Sequence, residues 1–166
     1  MLRGQTVAFT GHRPAKLGGY GTDAQERLIG LATYFLSVTR PLKVISGMAL
    51  GWDQAVAEAS IMLHIPVIAA IPFKGQESKW PRDSRYWYNE LLTHCAHIEI
   101  VSPGGYSPAK MQVRNEWMVD RGDVLTALWD GSDGGTANCY HYAERQDKKI
   151  INLWDTYLQR GGPSLR

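Results

Sequence analysis

Short apolar segments alternate with segments of helical spacing along this chain of 166 residues. The expected strands are Thr6–Thr10, Leu42–Ile45, Pro66–Ile71, Ile98–Val101, Val124–Trp129 and Lys149–Leu153. Strands that are apolar on both faces are typical of a parallel sheet with helices on both sides. The sequence therefore predicts a Rossmann-like, doubly wound α/β fold with a mostly parallel sheet. In such folds ligands bind outside the carboxyl ends of the strands.

Apolar residues at helical spacing predict five helices between these strands. They are Thr22–Leu36, Trp52–Leu63, Asp83–Leu92, Lys110–Val119 and Thr136–Gln146. The length fits one domain that covers residues 1–166. Two loops, 73–82 and 102–109, are long for this fold class and follow strand ends, so we expect them to overhang the site.

Composition narrows the classes of function. The chain has 18 basic and 16 acidic residues, a balance that argues against electrostatic capture of nucleic acid. Its two cysteines, Cys95 and Cys139, make neither a disulfide framework nor a CxxC motif. The most apolar stretch, 61–73, is interrupted by a histidine and two prolines and is too short to cross a bilayer. We expect a cytoplasmic protein that does not associate with membranes.

Three glycine-bearing turns each follow a predicted strand and precede a helix. They are Phe9–Pro14, Ser46–Asp53 and Trp129–Thr136. Glycine at a strand-to-helix turn lets backbone N–H groups approach an anion closely. Three such turns predict a shared phosphate-binding crevice and hence a nucleotide-derived small molecule as the partner. The GxGxxG spacing of the dinucleotide fingerprint is not met in the first turn.

The first turn offers hydrogen-bond donors directly after the first strand. Gly11 permits a tight turn, and Pro14 stiffens its exit. His12 and Arg13 supply donors, and Arg13 could bind a phosphate with two hydrogen bonds. A plain turn with a solvated arginine is the alternative.

The second turn carries a carboxylate at the start of a helix. Ser46 and Gly47 end the strand, and Gly51 precedes the helix. Asp53 falls in the first helical turn, where it would bind a ribose hydroxyl or interact with the helix dipole. Both interpretations stay open.

The third turn combines an acidic residue with two glycines. Asp130 begins it, and Gly134 and Gly135 allow close backbone approach. Thr136 would cap the following helix and could also bind a phosphate oxygen.

The helix after the fourth strand adds two polar candidates on the ligand side of the sheet. Arg114 would clamp a phosphate or carboxylate, with Asn115 beside it. A structural or solvated arginine is the alternative.

The first long loop interleaves cations with aromatic residues. Its members are Lys74, Lys79, Trp80, Arg82 and Arg85, followed by Tyr86, Trp87 and Tyr88. Three functions fit this pattern: a lid in which Trp80 closes over one base, an interface in a homo-oligomer, or stacking on single-stranded nucleic acid.

No motif predicts a resident cofactor or a metal. His94, Cys95 and His97 straddle a helix end and a strand start, and no second ligand pair accompanies them. The sequence also lacks a GxSxG elbow, a Walker lysine and an HExxH motif.

Six stretches together resemble the SLOG superfamily and, within it, the YpsA-like group. They are FTGHRP at Phe9–Pro14, SGMALGWDQAVAE at Ser46–Glu58, IPFKGQESKW at Ile71–Trp80, YNELL at Tyr88–Leu92, YSPAKMQVRNEWMVDRGD at Tyr106–Asp123 and WDGSDGGT at Trp129–Thr136. The resemblance covers nearly the whole chain in the family's order. It implies a Rossmann-like fold related to the DNA-processing protein DprA and to the lonely-guy nucleotide hydrolases, with a pocket for a nucleotide-derived ligand.

The chain departs from the hydrolase relatives at one motif. Those relatives have PGGxGTxxE, in which the glutamate assists cleavage of an N-glycosidic bond. Here Thr136 is followed by Ala137, Asn138 and Cys139, and a carboxylate is what such hydrolysis normally needs. Asp53, Glu58 and Glu116 are the candidates to replace it.

The sequence favours a sensor or binding protein for a ligand with an ADP-ribose or phosphoribosyl portion. A nucleotide N-glycosidase with a relocated carboxylate is the second hypothesis, and DprA-like binding of single-stranded DNA is the third. Whether the chain is an enzyme, and which residues would be catalytic, stays open.

Overall fold

The computed structural model describes residues 1–163, which contain a six-stranded, wholly parallel sheet. Its strands are β1 (Thr6–Gly11), β2 (Lys43–Ser46), β3 (Val67–Ile71), β4 (His97–Ile100), β5 (Val124–Leu128) and β6 (Lys149–Asn152). The order across the sheet is β4-β3-β2-β1-β5-β6. The winding therefore reverses between β1 and β5, and this switch point is where a doubly wound sheet opens a crevice for ligands.

Helices connect the strands as the sequence predicts. They are α1 (Thr22–Thr39), α2 (Trp52–Met62), α3 (Arg82–Thr93), α4 (Pro108–Arg121), α5 (Gly135–Arg145) and α6 (Trp154–Gln159). A single 3-10 turn, Pro14–Lys16, follows β1. This turn and α6 were not predicted, because three and six residues are too few to show a helical period.

In the part of the chain that the structure describes, no helix is both long and apolar enough to cross a membrane.

The core has two faces, in agreement with the prediction of helices on both sides of the sheet. On one face, Phe9 of β1 packs with Trp52 of α2 and with residues of α1 such as Leu31. On the other face, Met118 of α4 and Cys139 of α5 pack with apolar residues of the central strands. Burial of both faces explains why the central strands are largely apolar.

Strand register brings the functional turns to one edge of the sheet. Gly11, the last residue of β1, pairs with Leu128, the last residue of β5. Ser46, at the end of β2, pairs with Ala69 of β3. The turns that follow β1, β2 and β5 therefore leave the sheet at the same carboxyl edge.

Gly11 has a packing role at the end of β1. A Cβ atom built at Gly11 would lie 2.8 Å from Cγ of Trp52, whose side chain is fully buried. The indole of Trp52 thus occupies the space that a side chain at position 11 would need. Replacing this glycine forces either the indole or the strand to move.

We expect Gly11→Ala to lower the free energy of unfolding by about 1–3 kcal/mol, the usual cost of overpacking a core. Gly30→Ala is the matched control, because Gly30 lies within α1 and an added Cβ meets nothing within 4 Å. The control should be neutral or stabilise by up to about 1 kcal/mol. Urea unfolding of both variants measures this, and equal stability of the two would contradict the packing role.

Candidate functional site

A cavity of about 450 Å³ opens at the carboxyl edge of the sheet, at the switch point between β1 and β5. Its volume falls in the range of roughly 300–1,000 Å³ typical of small-molecule sites. The lining residues are Thr10, Gly11, His12, Arg13, Ala15, Lys16, Ala49, Asp53, Met111, Arg114, Asn115, Met118, Ser132, Asp133, Gly134, Gly135 and Thr136. Nine of the fourteen residues predicted for the site are in this set.

Arg114 forms the floor of the cavity and ties α4 to the sheet. Its Nη1 donates to the carbonyl oxygens of Gly47 (2.8 Å) and Ala70 (3.2 Å), which follow β2 and lie within β3. The side chain is 95% buried, and burial lowers the pKa of its guanidinium, while Asp53 raises it. Arg114 is therefore both a structural clamp and a charge that faces the cavity.

Asp53 lies beside this floor with one oxygen unpaired. Its Oδ2 accepts a hydrogen bond from the Ala49 amide (3.3 Å). Its Oδ1 is buried and has no hydrogen-bond partner among the described residues. A buried acceptor without a partner is costly in a folded protein, so this oxygen is available to a donor that enters the cavity.

Burial raises the pKa of Asp53 from 3.8 to about 6, although the nearby Arg114 and the Ala49 amide act in the opposite direction. The carboxyl also lies in the first turn of α2, where the helix dipole favours the charged form. Desolvation therefore outweighs the dipole, and the group changes protonation close to neutral pH.

Ser46 and Gly47 shape the second turn from behind the floor and do not line the cavity. The Ser46 hydroxyl donates to the Asp53 carbonyl oxygen (2.8 Å) and accepts from the Met48 amide (3.2 Å). A Cβ at Gly47 would lie 2.7 Å from Cζ of Arg114. The space that we predicted for a phosphate at Gly47 is thus filled by the guanidinium of the protein itself.

Gly51 also supports the turn through packing. Its φ is +95°, and a Cβ there would lie 2.8 Å from the carbonyl oxygen of His12. It faces a second cavity, of about 400 Å³, which Pro14, Tyr20 and Trp87 also line. Gly51 therefore packs the second turn against the first. It does not line the cavity at the switch point, where we predicted that it would contact a ligand.

The third turn is open toward the cavity. Gly134 precedes α5 with a φ of +140°, and no side chain caps this helix. A Cβ added at Gly134 or Gly135 would meet nothing within 4 Å. Thr136 lies within the first turn of α5, so the capping position predicted for it belongs to Gly134. The first amides of an uncapped helix, facing an open cavity, form a ready site for an anion.

His12 and Asp130 bridge the first and third turns. The Asp130 amide lies 3.1 Å from Nε2 of His12 and donates to it in the neutral tautomer that leaves Nε2 without a proton. A protonated ring would instead donate to Oδ1 of Asp130, 2.8 Å away. Burial lowers the pKa of His12, and a hydrogen bond from Ser132 contributes most to lowering the pKa of Asp130 to about 2. His12 lines the cavity, whereas Asp130 lies behind it.

Trp80 packs away from the cavity. Its ring lies 5.2 Å from that of Tyr88, edge to face. Trp80 thereby packs against a third apolar cluster, which consists of Met48, Ala57, Val67, Ala69, Ile71, Tyr88 and Leu91. In the same loop, Gln76 donates to the Gly47 carbonyl oxygen (3.1 Å) and to the Tyr88 hydroxyl (3.3 Å). Neither long loop contributes to the cavity lining, so loop 73–82 supports the second turn from outside.

Several lining residues were missed by the sequence analysis. Lys16 reaches the cavity because the 3-10 turn after β1 folds back toward Ser132, whose hydroxyl accepts from its Nζ. Met111 and Met118 lie one turn before and after Arg114 on α4. Helical spacing from Arg114 would have identified the two methionines, whereas nothing in the sequence signals the 3-10 turn.

Of the three carboxylates considered for catalysis, only Asp53 lines the cavity. Glu58 is half-buried beside Trp87, and Glu116 lies on the outer surface of α4 with Val113 and Trp117. Within residues 1–163, no three histidine, cysteine, aspartate or glutamate side chains are grouped to hold a metal ion.

The raised pKa of Asp53 gives its effect on stability a defined sign. Between pH of about 4 and about 6 the folded protein holds a proton on Asp53 that the unfolded chain has released. Stability from this group is therefore present at low pH and falls as the pH rises through that window. We expect the free energy of unfolding of wild type, relative to Asp53→Asn, to decrease from pH 4 to pH 6.

Asp23→Asn is the matched control, because Asp23 also lies in the first turn of a helix but is exposed. Chemical unfolding at several pH values gives the differences between each variant and wild type. A pH-independent difference for Asp53→Asn would show that its carboxyl is not desolvated.

Comparison with known proteins agrees with this architecture. The chain is 35% identical over 137 residues to the SPbeta prophage-derived protein YoqJ of Bacillus subtilis, covering 73% of this chain and 80% of that protein. Its structure resembles that of DNA processing protein A (DprA) from Streptococcus pneumoniae, with a TM-score of 0.67 and 15% identity. The structural match includes 98% of this chain but only 58% of the DprA chain.

A second structural relative is the molybdenum cofactor carrier protein MCP from Chlamydomonas reinhardtii. The TM-score is 0.59 at 13% identity, with 90% of this chain and 76% of that chain covered. At such identities the likeness concerns the fold. The family model YpsA, described as the YspA SLOG family, matches residues 7–156. The family match spans most of the chain, and this protein belongs to the YpsA family of SLOG proteins.

Proposed function

We propose that this protein binds a nucleotide-derived ligand with an ADP-ribose or phosphoribosyl portion, as a sensor or binding protein. One observation carries the proposal: the cavity at the switch point places an uncapped helix N-terminus opposite a buried carboxyl oxygen without a partner. A phosphorylated sugar has the two groups that these features need, an anion and a hydroxyl donor.

The anion would bind at the start of α5. Its first amides face the cavity, and Gly134 and Gly135 leave the space beside them open. Arg13 and Lys16 lie on the same cavity and bring positive charge from the first turn. Amides at a helix N-terminus together with such cations stabilise a phosphate strongly.

The sugar would lie over Asp53. A hydroxyl that donates to Oδ1 would satisfy the unpaired oxygen when the carboxyl is ionised. Met111 and Met118 line the cavity beside Arg114 and offer adaptable apolar contacts to the rest of the ligand. The pocket thus combines a few fixed polar groups with apolar surface, as small-molecule sites usually do.

The structural relatives favour a small ligand or DNA without deciding between them. One is named a molybdenum cofactor carrier protein and the other a DNA processing protein. The near-neutral charge balance and the enclosed position of Asp53 favour the small ligand. The free thiols Cys95 and Cys139 fit the reducing cytoplasm that we propose as its location.

Gly135→Ala tests the proposed anion site directly. The added methyl enters open cavity and meets no protein atom within 4 Å, so folding should be retained. It would nevertheless keep a phosphate from the first amides of α5, and loss of one charge-assisted hydrogen bond costs about tenfold in affinity or more. Calorimetric titration with ADP-ribose, NAD and AMP measures the change.

Gly30→Ala serves as the control, because it adds the same methyl at an open position of α1. Gly47→Ala is unsuitable as a binding test, since its methyl would collide with Arg114 and weaken folding as well. Wild-type affinity in Gly135→Ala would place the phosphate elsewhere.

Cleavage of an N-glycosidic bond is the second candidate function. The observation that favours it is Asp53, a buried carboxyl on the cavity with a pKa of about 6. A general base with a pKa near neutrality could accept a proton from a water that attacks the anomeric carbon of AMP. The products would be adenine and ribose 5-phosphate.

We expect hydrolysis of AMP to be absent or very slow. Thr136 is not followed by the glutamate that the hydrolase relatives have in this motif, and a positioned acid or base contributes about 10²–10⁴-fold to such rates. Chromatography of the free base after incubation measures turnover. If wild type shows robust turnover, and Asp53→Asn abolishes it while the variant stays folded, the protein is a glycosidase and not only a binding protein.

A further inference from the structure

Strand β4 is an open edge of the sheet. It pairs with β3 on one side, and the described sheet has no strand on its other side. The outer backbone groups of such a strand can pair with another chain. Four residues, His97–Ile100, make up this edge.

Two isoleucines on β4 are poorly covered. Ile98 is 44% exposed and Ile100 is 47% exposed. They are in register with Ala69 and Ile71 of β3 and therefore project to the same face of the sheet. Ala69 and Ile71 are buried in the third apolar cluster. The apolar face of the sheet therefore extends from these buried residues to the exposed Ile98 and Ile100.

The opposite edge of the sheet is protected. Strand β6 begins with Lys149, and its Ile150 and Ile151 pack against the two main core clusters. The Asn152 side chain accepts from the amides of Trp129 (3.3 Å) and Trp154 (3.1 Å). Edge lysines and covered side chains are ways in which proteins prevent strands from pairing across molecules. Strand β4 differs from β6 because its isoleucines are exposed.

The polar residues of β4 are complementary to a second copy of the same strand. Nε2 of His97 lies 3.0 Å from Oε2 of Glu99, on the face opposite the isoleucines. Antiparallel pairing about a twofold axis at Ile98 would set His97 opposite the partner's Glu99, and Glu99 opposite the partner's His97. Ile98 would meet the partner's Ile98. Hydrogen-bonded polar pairs and apolar pairs at facing positions stabilise antiparallel strands.

We propose that β4 is the docking edge for a second copy of this chain, so that two sheets join antiparallel, edge to edge, in a twofold dimer. The self-complementary arrangement of an imidazole and a carboxylate, which can hydrogen-bond across the axis, carries this proposal, since an isologous contact must match its own surface. The cavity at the switch point lies between β1 and β5, away from this edge. The dimer would leave the cavity open and stands independently of the proposed ligand.

Charge reversal at position 99 tests the dimer. Glu99→Lys would place a lysine opposite the partner's His97 at two symmetric positions, and we expect the dimer dissociation constant to rise by about tenfold or more. The double variant His97→Glu, Glu99→Lys places a carboxylate opposite each lysine across the axis and should recover most of the affinity. Sedimentation velocity over a range of protein concentrations measures both.

Glu144→Lys is the matched control. Glu144 forms a similarly exposed pair with His141 on α5, with Oε1 2.7 Å from Nδ1. This variant should dimerise like wild type, and circular dichroism should show that all variants are folded. A monomeric wild type, or a dimer that Glu99→Lys leaves unchanged, would overturn the proposal.

Discussion

The candidate site depends on the buried guanidinium of Arg114. It binds the carbonyl oxygens of Gly47 and Ala70 and so fixes α4 against the ends of two strands. Its charge also faces Asp53, whose carboxyl is buried and would be costlier to ionise without a nearby cation. Removing the guanidinium would take one donor from each of the two carbonyl oxygens and a nearby cation from the Asp53 carboxyl. Arg114 thus determines both the geometry of the cavity floor and its electrostatics.

Much of the fold could be predicted because its cause is local. Parallel strands buried on both faces must be largely apolar, and β5, whose five residues are all buried and include one polar residue, Thr126, shows this directly. The edge strand β4, with His97 and Glu99, was predicted one residue late, because an exposed edge carries no such requirement. Elements that leave a pattern of buried apolar residues in the sequence were therefore predicted. A short element without such a pattern, such as the 3-10 turn Pro14–Lys16, was not.

The site could be predicted only to the level of its turns. A glycine after a strand indicates that something approaches the backbone closely, but it does not identify the neighbour. At Gly11 the neighbour is the indole of Trp52, and at Gly47 it is the guanidinium of Arg114. Trp80 raises the same difficulty, since an aromatic ring in a long loop suits a lid as well as the contact with Tyr88 that the structure shows. Whether a residue in a turn or loop contacts a ligand or another part of the protein depends on contacts between residues far apart in the sequence.

The glycines of the three turns thus divide into two kinds, and the division bears on function. Those of the first two turns are packed against protein atoms, which makes that side of the cavity rigid and holds Asp53 in place. Gly134 and Gly135 in the third turn face open space at the start of α5. For the anion that we propose as ligand, a rigid wall beside an open helix terminus would be preorganised, because little of the protein would have to be ordered when it binds. Under this proposal chemically different ligands could occupy one fold, since the packed turns would preserve the frame while the open turn would contact the ligand.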